Sequence, residues 1–161
     1  MHISSIHPED VQSWEKFHGT LLAFIRKYGS KRITADAYRR IQRLSPLALS
    51  RAGNGIMMAT ICAEDGRRIA GILCTEGYGD DLSVAVVHPL YRGRGIGTRL
   101  LKGQLAELGR LNCKVAIDNI SILRMCFKAG LSACNVAEGP TGKPTLVLSG
   151  KRHEILVESG S

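Results

Sequence analysis

No apolar run in this 161-residue chain approaches the length of a bilayer crossing. The longest, Ile56 to Ala63, falls far short of the roughly 20 residues that a spanning helix needs. The segment Met1 to Asp10 lacks a basic-then-apolar signal pattern, and the expectation is a soluble, cytoplasmic protein with no membrane association. Cysteine is scarce and poorly placed for structural chemistry. The five cysteines, at 62, 74, 113, 126 and 134, are odd in number, form no C-x-x-C pair and have no histidine at metal spacing. That argues against a disulfide framework and against a metal site; Cys62 and Cys74, inside expected strands, read as buried thiols acting as small hydrophobes. Aromatic residues make up only 5% of the chain, against 18 glycines, and the composition is otherwise that of a globular protein. Neither an internal repeat nor a low-complexity segment is present. The length suits a single domain with a sizeable core, expected over 1–150 with a C-terminal tail over 151–161.

Positive charge is what the chain has in excess: 22 Lys and Arg against 14 Asp and Glu, a formal +8. Basic residues cluster at Arg26-Lys27, Lys31-Arg32, Arg39-Arg40 and Arg43, and again at Arg92, Arg94 and Arg99. No zinc-finger, homeodomain or RNP pattern accompanies them, so the charge points to an acidic ligand rather than to nucleic acid.

Periodicity supplies the elements. Ile3 to Ile6 reads as a short strand. Pro8 suits a first helical turn, with Glu9 and Asp10 at its positive end. Val11, Trp14, Phe17, Leu21, Phe24 and Tyr28, with Leu22 and Ile25 beside them, recur at helical spacing up to Gly29, a core-facing stripe. Thr34 is the expected N-cap of a second helix to about Leu44, stopped by Ser45-Pro46. Strands are expected at 56–64 and 68–75, joined at Asp65-Gly66, then at 81–87. A helix follows from about Gly95 to Leu108, ended by Gly109. Strand 114–118, helix 120–128 and strands 131–138 and 143–150 complete the chain, with a last turn at Gly139-Pro140-Thr141-Gly142.

The most informative stretch is Leu82 to Leu101, LSVAVVHPLYRGRGIGTRLL. An alternating strand breaks at His88-Pro89, passes through Arg92-Gly93-Arg94-Gly95-Ile96-Gly97 and enters an amphipathic helix. Glycines at every second position let a backbone approach a ligand closely. Their place at a helix start gathers free N–H groups and the positive dipole end at one spot, the recipe for a phosphate or pyrophosphate site. A P-loop would need a Lys after the last glycine, where Thr98 and Arg99 stand. A dinucleotide fingerprint, G-x-G-x-x-G, would need glycine at Thr98 or at Leu100, depending on register. Gly139-Pro140-Thr141-Gly142-Lys143 also fails as a P-loop, lacking the leading glycine and carrying Pro144 in place of Ser or Thr.

A third loop type fits. Val87-His88-Pro89, then Arg92-x-x-Gly95-x-Gly97 and Leu100-Leu101, closely resembles the acyl-CoA loop of the GNAT N-acetyltransferase superfamily. Val115 to Asn119 is similar to the family's next strand, ending in its Asn, and Phe127-Lys128-Ala129-Gly130-Leu131 is similar to its K-x-G-F segment. The resemblance spans residues 82 to 131. It implies an α/β fold of the α+β mixed-sheet kind, with a central, mostly antiparallel sheet splayed around an acyl-CoA site and flanked by helices. The expected element order, βααβββαββ with one further helix between strands 114–118 and 131–138, agrees with that topology.

The same resemblance implies an N-acetyltransferase that uses acetyl-CoA as acyl donor to an amine, attacked directly through a tetrahedral oxyanion. In the family the strands on either side of the loop and its helix diverge, often helped by a bulge, and the pantetheine arm lies in the gap as an added strand. The backbones of Ala85, Val86 and Val87 would hold pantetheine and the acetyl carbonyl, with an N–H near Val87 as oxyanion donor. Arg92, Gly93, Arg94, Gly95, Ile96, Gly97 and Thr98 would hold the pyrophosphate, and Asn119 would contact the arm or a bound water. Some members carry a base six residues before the Val of V-x-P, here Asp81, on the same strand face as Val87; Glu76 is the second candidate. The alternative for either acid is simply to solvate a turn. Many members place a Tyr acid four residues before the glycine of K-x-G-F; here that position is Cys126, a thiol that donates a proton or is a spectator. Tyr91 reads as packing beside the loop, His88 as a surface residue, and Lys128 as a solvating residue. The acceptor is a small-molecule or peptide amine, and a homodimer is compatible with the sequence. The alternative is a non-catalytic acyl-CoA-binding or sensor module.

Overall fold

The structure, a computed structural model, describes residues 1–29, 32–139 and 142–152. Its elements in chain order are β1 (His2–Ser5), α1 (Trp14–Gly29), α2 (Ala35–Gln42), α3 (Pro46–Leu49), β2 (Gly55–Ala63), β3 (Gly66–Glu76), β4 (Leu82–Val87), α4 (Ile96–Leu108), β5 (Arg110–Ala116), α5 (Ile120–Lys128), β6 (Ser132–Glu138) and β7 (Pro144–Lys151). The strands form two antiparallel sheets, ordered β1-β2-β3-β4 and β5-β7-β6. The mixed α/β architecture with antiparallel strands flanked by helices agrees with the expected fold class. The central sheet is divided between β4 and β5, which share no ladder among the described residues.

Strand alternation builds two cores, one on each face. Leu82, Val84 and Val86 of β4 join Leu21, Phe24 and Ile25 of α1 and Ile41 of α2. Ala85 and Val87 face the other way, onto Ile96, Leu100, Leu101 and Leu105 of α4. Leu111, Cys113 and Val115 of β5 belong to that second core, together with Leu123 and Cys126 of α5. The apolar stripe of the first helix is therefore core, as its spacing predicts.

Several boundaries differ from the sequence reading, each for a local reason. Pro8 does not start the long helix; it opens a separate 3₁₀ turn, Pro8–Asp10, and α1 begins at Trp14. Thr34 caps α2 through its hydroxyl, which accepts from the Ala37 N–H at 3.1 Å. Ser45-Pro46 is a start as well as a stop, because Ser45 accepts from the Ala48 N–H at 3.1 Å and Pro46 takes the first position of α3. β5 begins at Arg110, before the expected 114, because Gly109 (φ 87°) turns the chain straight from α4 into the strand. Cys74 is buried, and burial followed by the nearby Glu76 charge pushes its thiol up to about 12. Cys62 is exposed instead, because β1 covers β2 only as far as Thr60. Of the tail expected over 151–161, Lys151 instead closes β7 and Arg152 follows it, while residues 153–161 lie outside the described residues, as do Lys31 of the basic cluster and Pro140-Thr141 of the last turn.

Candidate functional site

β4 and β5 touch at one end and part at the other. At the closed end the Asn112 side-chain amide donates to Asp80 at 3.0 Å, and the Ser83 hydroxyl and Cys113 thiol lie 3.5 Å apart. Gly79 packs directly against the Asn112 carbonyl. Toward Val87 and Ala116 the strands separate around a cavity of about 1010 Å³. The ladder irregularities fall elsewhere, at Ala59/Thr60 and Ala133/Asn135, so no bulge in β4 accompanies this divergence.

The free edge of β4 supplies the cavity's backbone groups. The His88 N–H donates to the Ala70 carbonyl at 2.8 Å, and the β3–β4 register pairs Val86 with Ile72. Antiparallel hydrogen bonds alternate, so Val86 spends its N–H and C=O on β3. Ser83, Ala85 and Val87 turn theirs toward the gap. The outward carbonyl of Val87 already accepts from Arg92 Nε at 3.3 Å.

At the mouth, Gly93 (φ 79°) and Gly95 (φ 75°) adopt left-handed backbone that other residues resist. Gly95 caps α4, and the first helical bond runs from the Arg99 N–H to its carbonyl at 3.1 Å. The N–H groups of Ile96, Gly97 and Thr98 thus precede any intrahelical partner, and no acidic side chain occupies the first turn. Gly97 acts through its size instead, since a Cβ there would collide with the Met125 side chain of α5. Two glycines shape the loop, and the third lets the two helices meet.

Of the residues singled out in the sequence, Ala85, Val86, Val87, Arg92 and Gly93 line the cavity, as do Gly95, Ile96, Gly97, Thr98, Asn119 and Cys126. Arg94 is outside the lining and lies over the Tyr91 ring at 5.5 Å. Asp81 and Glu76 are also outside it. Asp81 is exposed, with its N–H on the Glu76 carbonyl at 3.2 Å. Glu76 ion-pairs with Arg40 at 3.6 Å. Asn119 caps α5 and accepts from Arg32 Nη1 at 2.7 Å. Lys128 lines the cavity and Tyr91 packs beside the loop. His88 is half-buried rather than a free surface residue: its ring lies 4.4 Å from Tyr28 and 5.1 Å from Tyr91, and its Nδ1 accepts from the Leu90 N–H at 3.1 Å. Burial, then Lys27, Arg68 and Arg92, hold its pKa below the usual range. Interaction with the Cys113 thiol, and burial, push Cys126 well above the usual thiol range. Cys126 is therefore a neutral S–H group in the free protein.

Sequence reasoning missed Ser83, Cys113, Lys27, Tyr28, Arg32 and Lys114, all of which line the cavity. Alternation from Ala85 and Val115 signals the first two. Nothing local signals the others, because tertiary packing brings them there.

Residues 58–127 match the family model described as "Acetyltransferase (GNAT) domain". Among solved structures the chain is similar to the aminoglycoside acetyltransferase AAC(6')-Ib crystallised with paromomycin and acetyl-CoA. The TM-score is 0.62 at 15% identity, covering 96% of this chain and 94% of that one. A mutant spermidine N-acetyltransferase SpeG from Vibrio cholerae gives 0.64 at 11% identity, covering 98% and 97%. A GNAT-family acetyltransferase from Streptococcus pneumoniae gives 0.62 at 15% identity, covering 93% and 98%. These likenesses establish the shared fold. No curated protein matches the sequence.

Proposed function

We propose, from the premise that this is a GNAT-type acyltransferase whose residues 58–127 match the family model, that it moves the acetyl group of acetyl-CoA onto a small-molecule amine by direct attack in a ternary complex. One observation carries the reading. A single cavity is lined by the glycine loop with the free N–H groups of α4, by the unpaired edge of β4, and by the α5 cap Asn119.

The residues present fit acetyl-CoA. Arg92 to Thr98 would hold the pyrophosphate through backbone N–H groups and guanidinium charge. The outward amides of Ala85 and Val87 would receive pantetheine as an added strand and supply the oxyanion donor. In the reaction the amine nitrogen forms a C–N bond to the thioester carbon. The C–S bond then breaks, the amine loses a proton to base or water, and the thiolate takes one up. Asp81 and Glu76 are the candidate bases, each acting through water from outside the cavity. Cys126, held neutral, would offer the leaving sulfur a hydrogen bond. A cytoplasmic setting belongs to the same reading; among the described residues no helix is long and apolar enough to cross a membrane.

The competing reading is an acyl-CoA-binding module without turnover. It is favoured by one observation: among the described residues the cavity lining carries no carboxylate. Thiol release from acetyl-CoA over an amine panel decides between them, with Gly95→Glu, Asp81→Asn and Glu76→Gln alongside. Amine-dependent release is expected. Gly95→Glu puts a side chain on left-handed backbone and a negative charge at the anion loop, and should weaken acetyl-CoA binding at least about tenfold. Loss of turnover with intact binding in one acid variant names the base. Tight binding without release in any amine favours the module, and absence of binding overturns both.

A further inference from the structure

The cavity is one-signed. Lys27, Arg32, Arg92, Lys114, Arg124 and Lys128 all line it, and no Asp or Glu among the described residues does. None of the six forms an ion pair with a described acid. Asp118, which feels the charge of Arg32, is itself engaged by Lys143 Nζ at 3.0 Å. Two other basic residues of the N-terminal third, Arg39 and Arg40, pair with Asp36 and Glu76.

The six charges divide between the two faces of the split sheet. Arg92 belongs to the glycine loop, and Arg124 and Lys128 to α5, so these three flank the side that would take the nucleotide phosphates. Lys27 lies in the last turn of α1. That helix packs its Gly29 against Val86, with a Cβ there falling 2.9 Å from the Val86 side chain, on the face opposite α4 and α5. Lys114 sits between Cys113 and Val115, both turned toward α4 and α5. Alternation sends its side chain to the face shared with α1. Arg32 joins this second group from the segment after α1 and reaches Asn119 at 2.7 Å.

Lys27 and Lys114 thus stand on the side away from the nucleotide loop, and Arg32 reaches from that side to the α5 cap; none of the three ion-pairs with a described acid, and Asp118, which Arg32 senses, is shared with Lys143. Building on the transferase reading, we infer that the acceptor is a small amine bearing a carboxylate or a phosphate, anchored by Lys27, Arg32 and Lys114. A polycationic amine would meet like charge from every quarter. An anionic group compensates it, and the same positive surroundings favour the neutral, nucleophilic form of the acceptor's amine. His88 beside Tyr28 has its pKa lowered by burial first, with Lys27, Arg68 and Arg92 adding to it. The arrangement lowers the demand for a carboxylate base inside the cavity.

Steady-state thiol release should be compared across matched pairs: amino acids against their amides, and phosphoethanolamine against ethanolamine, with spermidine and kanamycin as polycations. At least about a tenfold higher kcat/KM is expected for the anionic member of a pair, the scale of one charge contact near a protein surface. The two pair types separate carboxylate from phosphate. Lys114→Glu and Lys27→Glu should abolish the preference while leaving the KM for acetyl-CoA within about twofold; Lys102→Glu, exposed on α4 outside the cavity, should change neither. Calorimetric binding of the same pairs to the CoA-loaded protein reads the preference without turnover. If no amine is acetylated yet anionic members still bind better, the transferase reading falls and the anion site stands. Equal handling of both members, or preference for spermidine or kanamycin, overturns the inference.

Discussion

Single residues here are best understood by what surrounds them rather than by type. The glycines of one short motif divide their work, Gly93 and Gly95 supplying backbone conformation and Gly97 clearance for Met125. The motif spacing is legible in sequence; this division is not, because Met125 arrives from 28 positions away. His88 makes a similar point. Its neighbours Phe24 and Tyr28 come from α1, which no local pattern around His88-Pro89 announces. Its pKa is lowered in the folded protein, by burial first and by Lys27, Arg68 and Arg92 after it. The unfolded chain therefore binds this proton as pH falls through about 6.5 while the folded protein still resists it. The stability it contributes is full above that pH and is lost below it. Thermal melts at about pH 7.5 and about pH 5.5 should show a larger fall for the native protein than for His88→Gln, which keeps an acceptor for the Leu90 N–H. Equal falls would mean that His88 does not carry the pH dependence.

Among the elements, the closed end of the β4–β5 gap sets the shape of the site. Asp80, Ser83, Asn112 and Cys113 hold the strands together there, and Gly79 (φ 97°) is pressed on the Asn112 carbonyl. An added Cβ would meet backbone, which cannot rotate away. Gly79→Ala should cost about 3 kcal/mol or more, a fall of about 10 °C in Tm for a domain of this size. Gly66→Ala is the control: it shares a positive φ of 119° but has open space around it, so it should lose only the strain contribution. A similar loss in both would show that contact with Asn112 does not matter. The strand before the loop, the helix after it and the α5 boundaries follow from sequence, since alternation, caps and apolar spacing are local signals. The early start of β5 does not, because it depends on pairing Arg110 with Lys151 across the second sheet.

For the whole molecule, the formal +8 has a concentrated expression in the six cations that line the cavity, none of which ion-pairs with a described acid. Gathering like charge destabilises the empty protein, and an anionic donor relieves it. Acetyl-CoA at about a hundred times its Kd should stabilise by about 2.7 kcal/mol, raising Tm by about 5–10 °C. The apparent affinity should weaken from about 50 to about 500 mM salt as screening shortens to a few ångströms. Neutral salt leaving that affinity unchanged would mean that the cavity charges do not serve the phosphates.

Sequence alone determined the parts whose physics is local: the glycine loop, the helix it caps, the alternating strand before it, and with them the family resemblance. Left-handed glycines, free N–H groups and apolar periodicity act within a few residues, so spacing reveals them. Tertiary structure alone decided which strand edges stay unpaired, which amides of β4 face the gap, and that Lys27, Arg32 and Lys114 converge there while Asp81 and Glu76 stand outside. Those outcomes depend on packing across two sheets and two cores, where residues far apart in the chain share one electrostatic environment.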